Sequence, residues 1–339
     1  MKKKNIIIWI VPLLTAIVII FYIQSKKSTL PRDMQDFAVK DTASINKIFM
    51  ADMAGLEATL TRENNIWKIN KKFDVRPDVI KTLLKTIHDV EIKSPVGNKM
   101  KENVTKRLSS SSIKVEIYIK DELVKTFYIG GETQDKTGTI AILEDVDTKV
   151  KASDPYVLHI PGFIGYLTPR FFVEERKWRD RTIFNYKPSD IKEIDIVWNE
   201  NKSNSFKYVN DKNGKQILDL TGKILNNIDT LKINKYIGIF NKVIFDYVVG
   251  EMDKHNRDSV LASNPAFTIN VYDFSGTKTK LDLFYKIPDK ESYDINGKLI
   301  TKDLDLMYAI INNNKQDLYV IQLYLFDKIL RPINYFVKI

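Results

Sequence analysis

Three histidines, His88, His159 and His255, and no cysteine are all that the chain offers for imidazole or thiolate chemistry. Without a thiol there is no thiolate nucleophile and no cysteine-ligated zinc. The histidines also lie too far apart for the HExxH arrangement of a metallohydrolase. His88 closes an apolar-periodic stretch, where a cation complements a helix C-terminus. His255 sits in the polar run "MDKHNRD" and reads as exposed. His159 is different, because "DPYVLHIPGFIGYL" surrounds it with aromatics and a Pro-Gly turn in the manner of a pocket lip. Carboxylates gather in "GGETQDKTG" and "LEDVDT", where Glu132, Asp135, Glu144, Asp145 and Asp147 fall in expected turns. Paired acids of this kind serve acid–base catalysis or hold calcium, but the spacing is not that of an EF-hand, and turns collect acidic residues for conformational reasons. Neither a catalytic residue nor a metal or cofactor site is assigned on these grounds. No G-x-S-x-G elbow, P-loop or G-x-G-x-x-G run occurs, so covalent hydrolysis and nucleotide binding lack their usual signatures.

The aromatic group Tyr156, Phe163, Tyr166, Phe171 and Phe172 lies beside Arg170, and Trp178 follows. Aromatics with arginine anchor protein interfaces, so His159, Phe163, Tyr166, Arg170 and Trp178 are the candidates for a partner surface. For Tyr156 and Phe163 a role in sealing a core competes with this reading. Gly130 and Gly131, inside an apolar run, point to a bulge or sharp bend.

The chain has 339 residues, 44% apolar and 28% charged, which suits folded domains rather than disorder. Its net charge of +10 is concentrated at the front: residues 1–32 hold Lys2, Lys3, Lys4, Lys26, Lys27 and Arg32 and no acid, leaving +4 for the rest. That distribution gives no support to a nucleic-acid groove, which needs basic residues gathered on one face. The excess flanks "IIIWIVPLLTAIVIIFYI", Ile6 to Ile23, an uncharged run with Trp9 and Tyr22 near its ends. Its length and the lysines that follow at once read as an uncleaved membrane anchor rather than a signal peptide. The slight lysine bias places the N-terminus in the cytoplasm and the bulk of the chain in the periplasm, a compartment with which the absence of cysteine agrees.

Past a polar linker, alternation of Ile113, Val115, Ile117 and Ile119 with polar residues predicts a half-buried strand, followed by a hairpin into "LVKTFYI". Pro77, Asp78 and an apolar face of Val79, Ile80, Leu83, Leu84 and Ile87 predict a helix, and a second is expected from Asp229 or Thr230. Blocks of the first half recur in the second. "INKIFM" matches "IKEIDI" at an offset of 146, "IKVEIY" matches "FTINVY" at 154, and Asp154–Leu167 matches Asp317–Leu330 at 163. Increasing offsets are those of a duplication with insertions. The expected fold is therefore α+β: an anchor and linker over 1–32, an antiparallel-sheet-plus-helix unit over 33–172, a solvated connector over 173–190 and a second unit over 191–339.

The blocks "DFAVKDTASINKIFMADMAG", "WKINKKFDVRPDVIKTLLKTI", "VKTFYIGGETQDKTGT", "HIPGFIGYLTPRFF" and "WRDRTIFNYKPSDIKEIDI" resemble the bacterial family called domain of unknown function 4340, in the form common among Bacteroidota. The resemblance covers most of residues 35–200. It implies an N-terminal anchor and, from relatives that serve as auxiliary parts of gliding-motility-type ABC export systems, a role beside transport subunits. It supplies no catalytic residues. The expected function is a non-enzymatic, membrane-anchored module that binds envelope proteins. The alternatives are an envelope glycan- or peptide-processing enzyme built on turn carboxylates, or a sensor holding a small ligand between the two units.

Overall fold

Short alternating runs joined by asparagine-rich turns build most of the protein. In the computed structural model, which describes residues 36–338, the front of the chain is a meander of Ile45–Asp52 (β1), Glu57–Glu63 (β2), Ile66–Ile69 (β3) and Phe73–Asp74 (β4). Asn64 and Asn65 turn between β2 and β3 at φ 49° and 66°, the left-handed conformation that asparagine tolerates and tight hairpins require. The expected span Ile6–Ile23 and its linker lie outside the described residues. No helix among the described residues is long and apolar enough to cross a membrane.

The chain divides into two compact units, Met1–Arg179 and Asp180–Ile339. In the first, Pro77–Asp89 (α1) follows the meander, with Pro77 in its first turn and Ile80, Leu83 and Ile87 buried. Then come Glu91–Pro95 (β5), Asn98–Ser111 (α2), Ile113–Ile119 (β6), Glu122–Glu132 (β7), Thr139–Glu144 (β8), Tyr156–His159 (β9) and the one-turn helix Glu175–Trp178 (α3). All pairs are antiparallel, in the order β4-β3-β2-β1-β6-β7-β8-β9-β5. Because neighbouring strand residues point to opposite faces, Val115, Phe127, Ile129 and Leu143 join the α1 side chains in one core. Tyr128, Ile140 and Ile142 meet Val104 and Leu108 of α2 in a smaller one. β8 is covered on both faces and every residue in it is buried.

The second unit runs Thr182–Phe184 (β10), Ile191–Trp198 (β11), Phe206–Asp211 (β12), Gly214–Leu218 (β13), Thr230–Gly238 (α4), Val243–Ile244 (β14), Tyr247–Val248 (β15) and Lys254–Ala262 (α5). It continues with Phe267–Asp273 (β16), Lys278–Tyr285 (β17), Leu306–Ile311 (β18), Tyr319–Gln322 (β19) and Leu323–Phe326 (α6). Its main sheet has the order β13-β12-β11-β16-β17-β18-β19-β15, and β10 pairs with β14 separately. Ile233, Tyr236 and Ile237 of α4 bury against Phe206, Phe240 and Phe336. Each such side chain removed from water contributes roughly 1.5–3 kcal/mol. On the opposite face Phe284, Ile310 and Leu318 pack with Val260 and Leu261 of α5.

The mixed α+β class with antiparallel sheets is as expected. Two features differ from expectation. Helix α2 was not foreseen, because its sequence is mostly polar. The charged stretch Val173–Asp190 is not a solvated connector throughout: Val173, Trp178, Ile183 and Phe184 are buried, since its few apolar residues fall where they dock onto the two cores.

Candidate functional site

The residues singled out for chemistry are held apart or already satisfied. His88 ends α1, exposed, with Nδ1 on the Asp89 carboxylate. His159 ends β9 opposite Glu91, and His255 is exposed in α5. Asp135 accepts from the hydroxyls of Thr133 and Thr137 and from the Thr137 amide, which hold its carboxyl far below the usual carboxylate range. Asp145 is likewise lowered by the amide and hydroxyl of Thr148. Both carboxylates act as turn staples, Asp135 through both of its oxygens and Asp145 through Oδ1. Glu144 is not in a turn. It ends β8 at 8% exposure and accepts from the Tyr128 hydroxyl at 2.8 Å. The Lys114 ammonium stands 2.7 Å from Glu116 and 3.9 Å from Glu144. Burial, reinforced by Glu116, pushes the Tyr118 hydroxyl up to about 12. Among the described residues no group of three or more His, Asp or Glu could hold a metal ion.

The partner-surface candidates divide. Phe163 and Ile164 form a loop tip in which Gly162 and Gly165 take φ 77° and 140°, and Ile164 is 90% exposed. The Arg170 guanidinium lies 4.4 Å from the Phe163 ring and donates to Thr86 Oγ1 at 2.8 Å. Tyr166 is half-buried. Trp178 must be withdrawn as a surface residue, since it is 0% exposed. Its ring stacks on Phe172 at 4.2 Å and its Nε1 donates to the Phe172 carbonyl.

What sequence reasoning missed lies in the second unit. A cleft of about 670 Å³ opens over the face of the sheet opposite α4, within the size range of small-ligand pockets. Thr268, Asp282, Phe284 and Ile310 supply its floor, on the three adjacent strands β16, β17 and β18. Asp282 is buried, accepts from the Thr268 hydroxyl at 2.8 Å and pairs with the Lys280 ammonium at 2.7 Å. Lys280 also donates to Asn313 Oδ1. On the rim, Asn199 is fixed by its bond to the Pro265 carbonyl. Glu200 pairs with Lys302 at 3.1 Å and accepts from the Tyr285 hydroxyl. The Lys302 hydrogen bond holds the Glu200 carboxyl below its ordinary value.

Lys302 belongs to a long connection between β17 and β18, residues 286–305, whose base is fixed by Lys286. That lysine is buried, with its ammonium 2.6 Å from Asp289 and 3.3 Å from Asp303. Beyond the base, Ile287, Tyr293, Ile295, Leu299 and Leu304 are exposed, and Tyr293 bridges to Leu299 across an Asp294–Gly297 turn. The β7–β8 turn of the first unit, by contrast, is short and carries no large apolar residue. The cleft had no sequence signal, because its residues come from stretches far apart in the chain. The arm's signal was its length between two strands.

A family model described as Domain of unknown function (DUF4340) matches residues 67–265 of the chain, more than half of it. No curated protein and no solved structure matches.

Proposed function

The chain belongs to the DUF4340 family, and from that premise we propose that it is a membrane-anchored extracytoplasmic module that binds other envelope proteins and catalyses nothing itself. The observation that carries this reading is the arm of residues 286–305. Five large apolar side chains stand in solvent on a segment whose base is fixed by a buried lysine between two aspartates. Large apolar side chains exposed along one segment are a mark of interaction sites. The apolar run Ile6–Ile23 and its flanking lysines support the anchor, with the N-terminus cytoplasmic and the bulk periplasmic. Transport or motility subunits are the partners that the family resemblance favours. Of the carboxylates on which the glycan- or peptide-processing alternative rests, Asp135, Glu144 and Asp145 already accept from neighbouring side chains, while Glu132, at the end of β7, lines a pocket beside α2.

The proposal includes an ancient duplication. Eight strands of each sheet follow the same order. The same ladder irregularity falls between Ile45 and Lys47 and between Ile191 and Glu193. The second unit does not only gain residues, however: its β18–β19 connection is shorter than the β8–β9 connection.

The test places a photo-crosslinker at Ile295 and, as a control, at exposed Leu220 of the full chain in intact cells. The expected result is a defined adduct with a membrane-protein partner from Ile295 alone. Equal or absent adducts from both sites, with the chain extracted by mild detergent as a lone monomer, would sink the binding role. A reporter after Ile339 active only in the cytoplasm would sink the orientation.

A further inference from the structure

We infer that the cleft of the second unit is a binding site for a small organic anion with an apolar body. The site meets the protein-binding arm through the Lys302–Glu200 pair on its rim, but partner capture by the arm and anion binding in the cleft are read by different experiments, and either can fail without the other.

The first ground is why the cleft exists. In the first unit the row Lys114–Tyr128–Ile142 crosses the sheet face under α2. Over that row the space is filled: the Tyr128 hydroxyl reaches Glu144, the Lys151 ammonium lies 3.8 Å from the Tyr128 ring, and α2 runs on to Ser111, one residue before β6. The open space beneath α2 lies instead beside Ile140 and Val157. In the second unit the row is Thr268–Asp282–Ile310. An aspartate stands where the tyrosine stood. Helix α5 ends at Ala262, and Ser263, Asn264, Pro265 and Ala266 reach β16 without a helical turn, as the proline requires. One shorter side chain and one missing helical turn leave the floor open.

The second ground is charge. The two acids that line the cleft are already matched: Asp282 by Lys280 and Thr268, and Glu200 by Tyr285 and by Lys302 of the arm. Lys202 and Lys315 also line it, and neither has a carboxylate within ion-pair distance among the described residues. Lys315 reaches only the Leu261 carbonyl, at 3.5 Å. The uncompensated charges are therefore cations, while Phe284 and Ile310 beneath them offer apolar surface. A carboxylate or phosphate headed by the lysines, with its carbon body over the floor, satisfies both.

Titration calorimetry on the full chain in detergent would use phenylacetate, phenyl phosphate and neutral phenylacetamide. The expected result is saturable binding of at least one anion, about tenfold or more tighter than the amide, and lost by about the same factor in Lys202→Gln/Lys315→Gln. Both lysines are solvent-facing, so an unchanged melting temperature confirms that the variant folds. Ser263→Trp, which fills the rim, should abolish binding of all three probes. Equal affinity for anion and amide, anion binding untouched by the double variant, or no saturable heat from either anion would each overturn the assignment.

Discussion

At the scale of single residues, the informative side chains are those whose surroundings disagree with their chemistry. Asp195 on β11 lies beside Lys207 at 3.4 Å, yet its Oδ1 has no hydrogen-bond partner. Burial raises its carboxyl above the ordinary value, and Lys207 only partly offsets this. A folded-state value above the unfolded one means that the native protein holds this proton more tightly. The penalty is absent below the unfolded value of 3.8, grows as pH rises through the folded value and is complete above it. Asp195→Asn should therefore stabilise the protein at pH 7, by up to about 1 kcal/mol, and leave it unchanged near pH 3. Denaturant midpoints at both pH values decide it, and a loss at pH 7 would show that the Lys207 pair dominates. Gly130 was legible from sequence as a bulge residue, and the ladder shifts between Ile129 and Glu132. Its reason is more specific: a Cβ there would stand 2.7 Å from Leu108 Cδ2 and 3.3 Å from the Ile140 carbonyl. Gly130→Ala should cost about 1–3 kcal/mol by overpacking, and a double-mutant cycle with Leu108→Ala should show coupling, whereas additive losses would contradict the clash. Trp178 was not legible, because charged neighbours on both sides concealed a buried ring.

Elements with strong local signals were found, and those held by tertiary packing were not. Helix α1 announced itself through Pro77, Asp78 and its apolar face. For α4 the sequence allowed Asp229 or Thr230 as the cap. Asp229 is the cap, accepting from the amides of Leu231 and Lys232. Asp229→Ala should cost about 1 kcal/mol, read as a shift in the unfolding midpoint; no shift would mean that the contacts of Tyr236 alone hold the helix. Helix α2 starts after Gly97 with no side-chain cap and no acidic first turn. Its order comes from Val104 and Leu108 lying on Tyr128, Ile140 and Ile142, as expected where packing outweighs propensity. The spacing of Met100, Val104 and Leu108 was the available signal. The cleft was invisible for a related reason, since it lies where α5 ends early and a short side chain, Asp282, faces out from β17.

For the whole molecule, period-2 alternation gave the antiparallel α+β class. Strand order was out of reach, because β1 pairs with β6 and β5 with β9 across long stretches of chain, and periodicity carries no information about distant partners. The division after Arg179 falls inside the segment expected to be a connector. Because each unit holds its own core, fragments 36–179 and 180–339 should each melt cooperatively. In the first, Trp178→Ala should cost about 3–5 kcal/mol. A fragment that stays unstructured by circular dichroism would show that its core is incomplete alone.

The margins of the two sheets carry a last consequence. Three of the four outer strands are blunt: β4 and β15 are two residues long, and β5 ends in Ser94 and Pro95 with a shifted register after Ile92, while β13 pairs regularly over five residues. Such blunt borders give a neighbouring chain little backbone to zip onto. Many copies crowded side by side should therefore resist fusing into fibrils through those three borders.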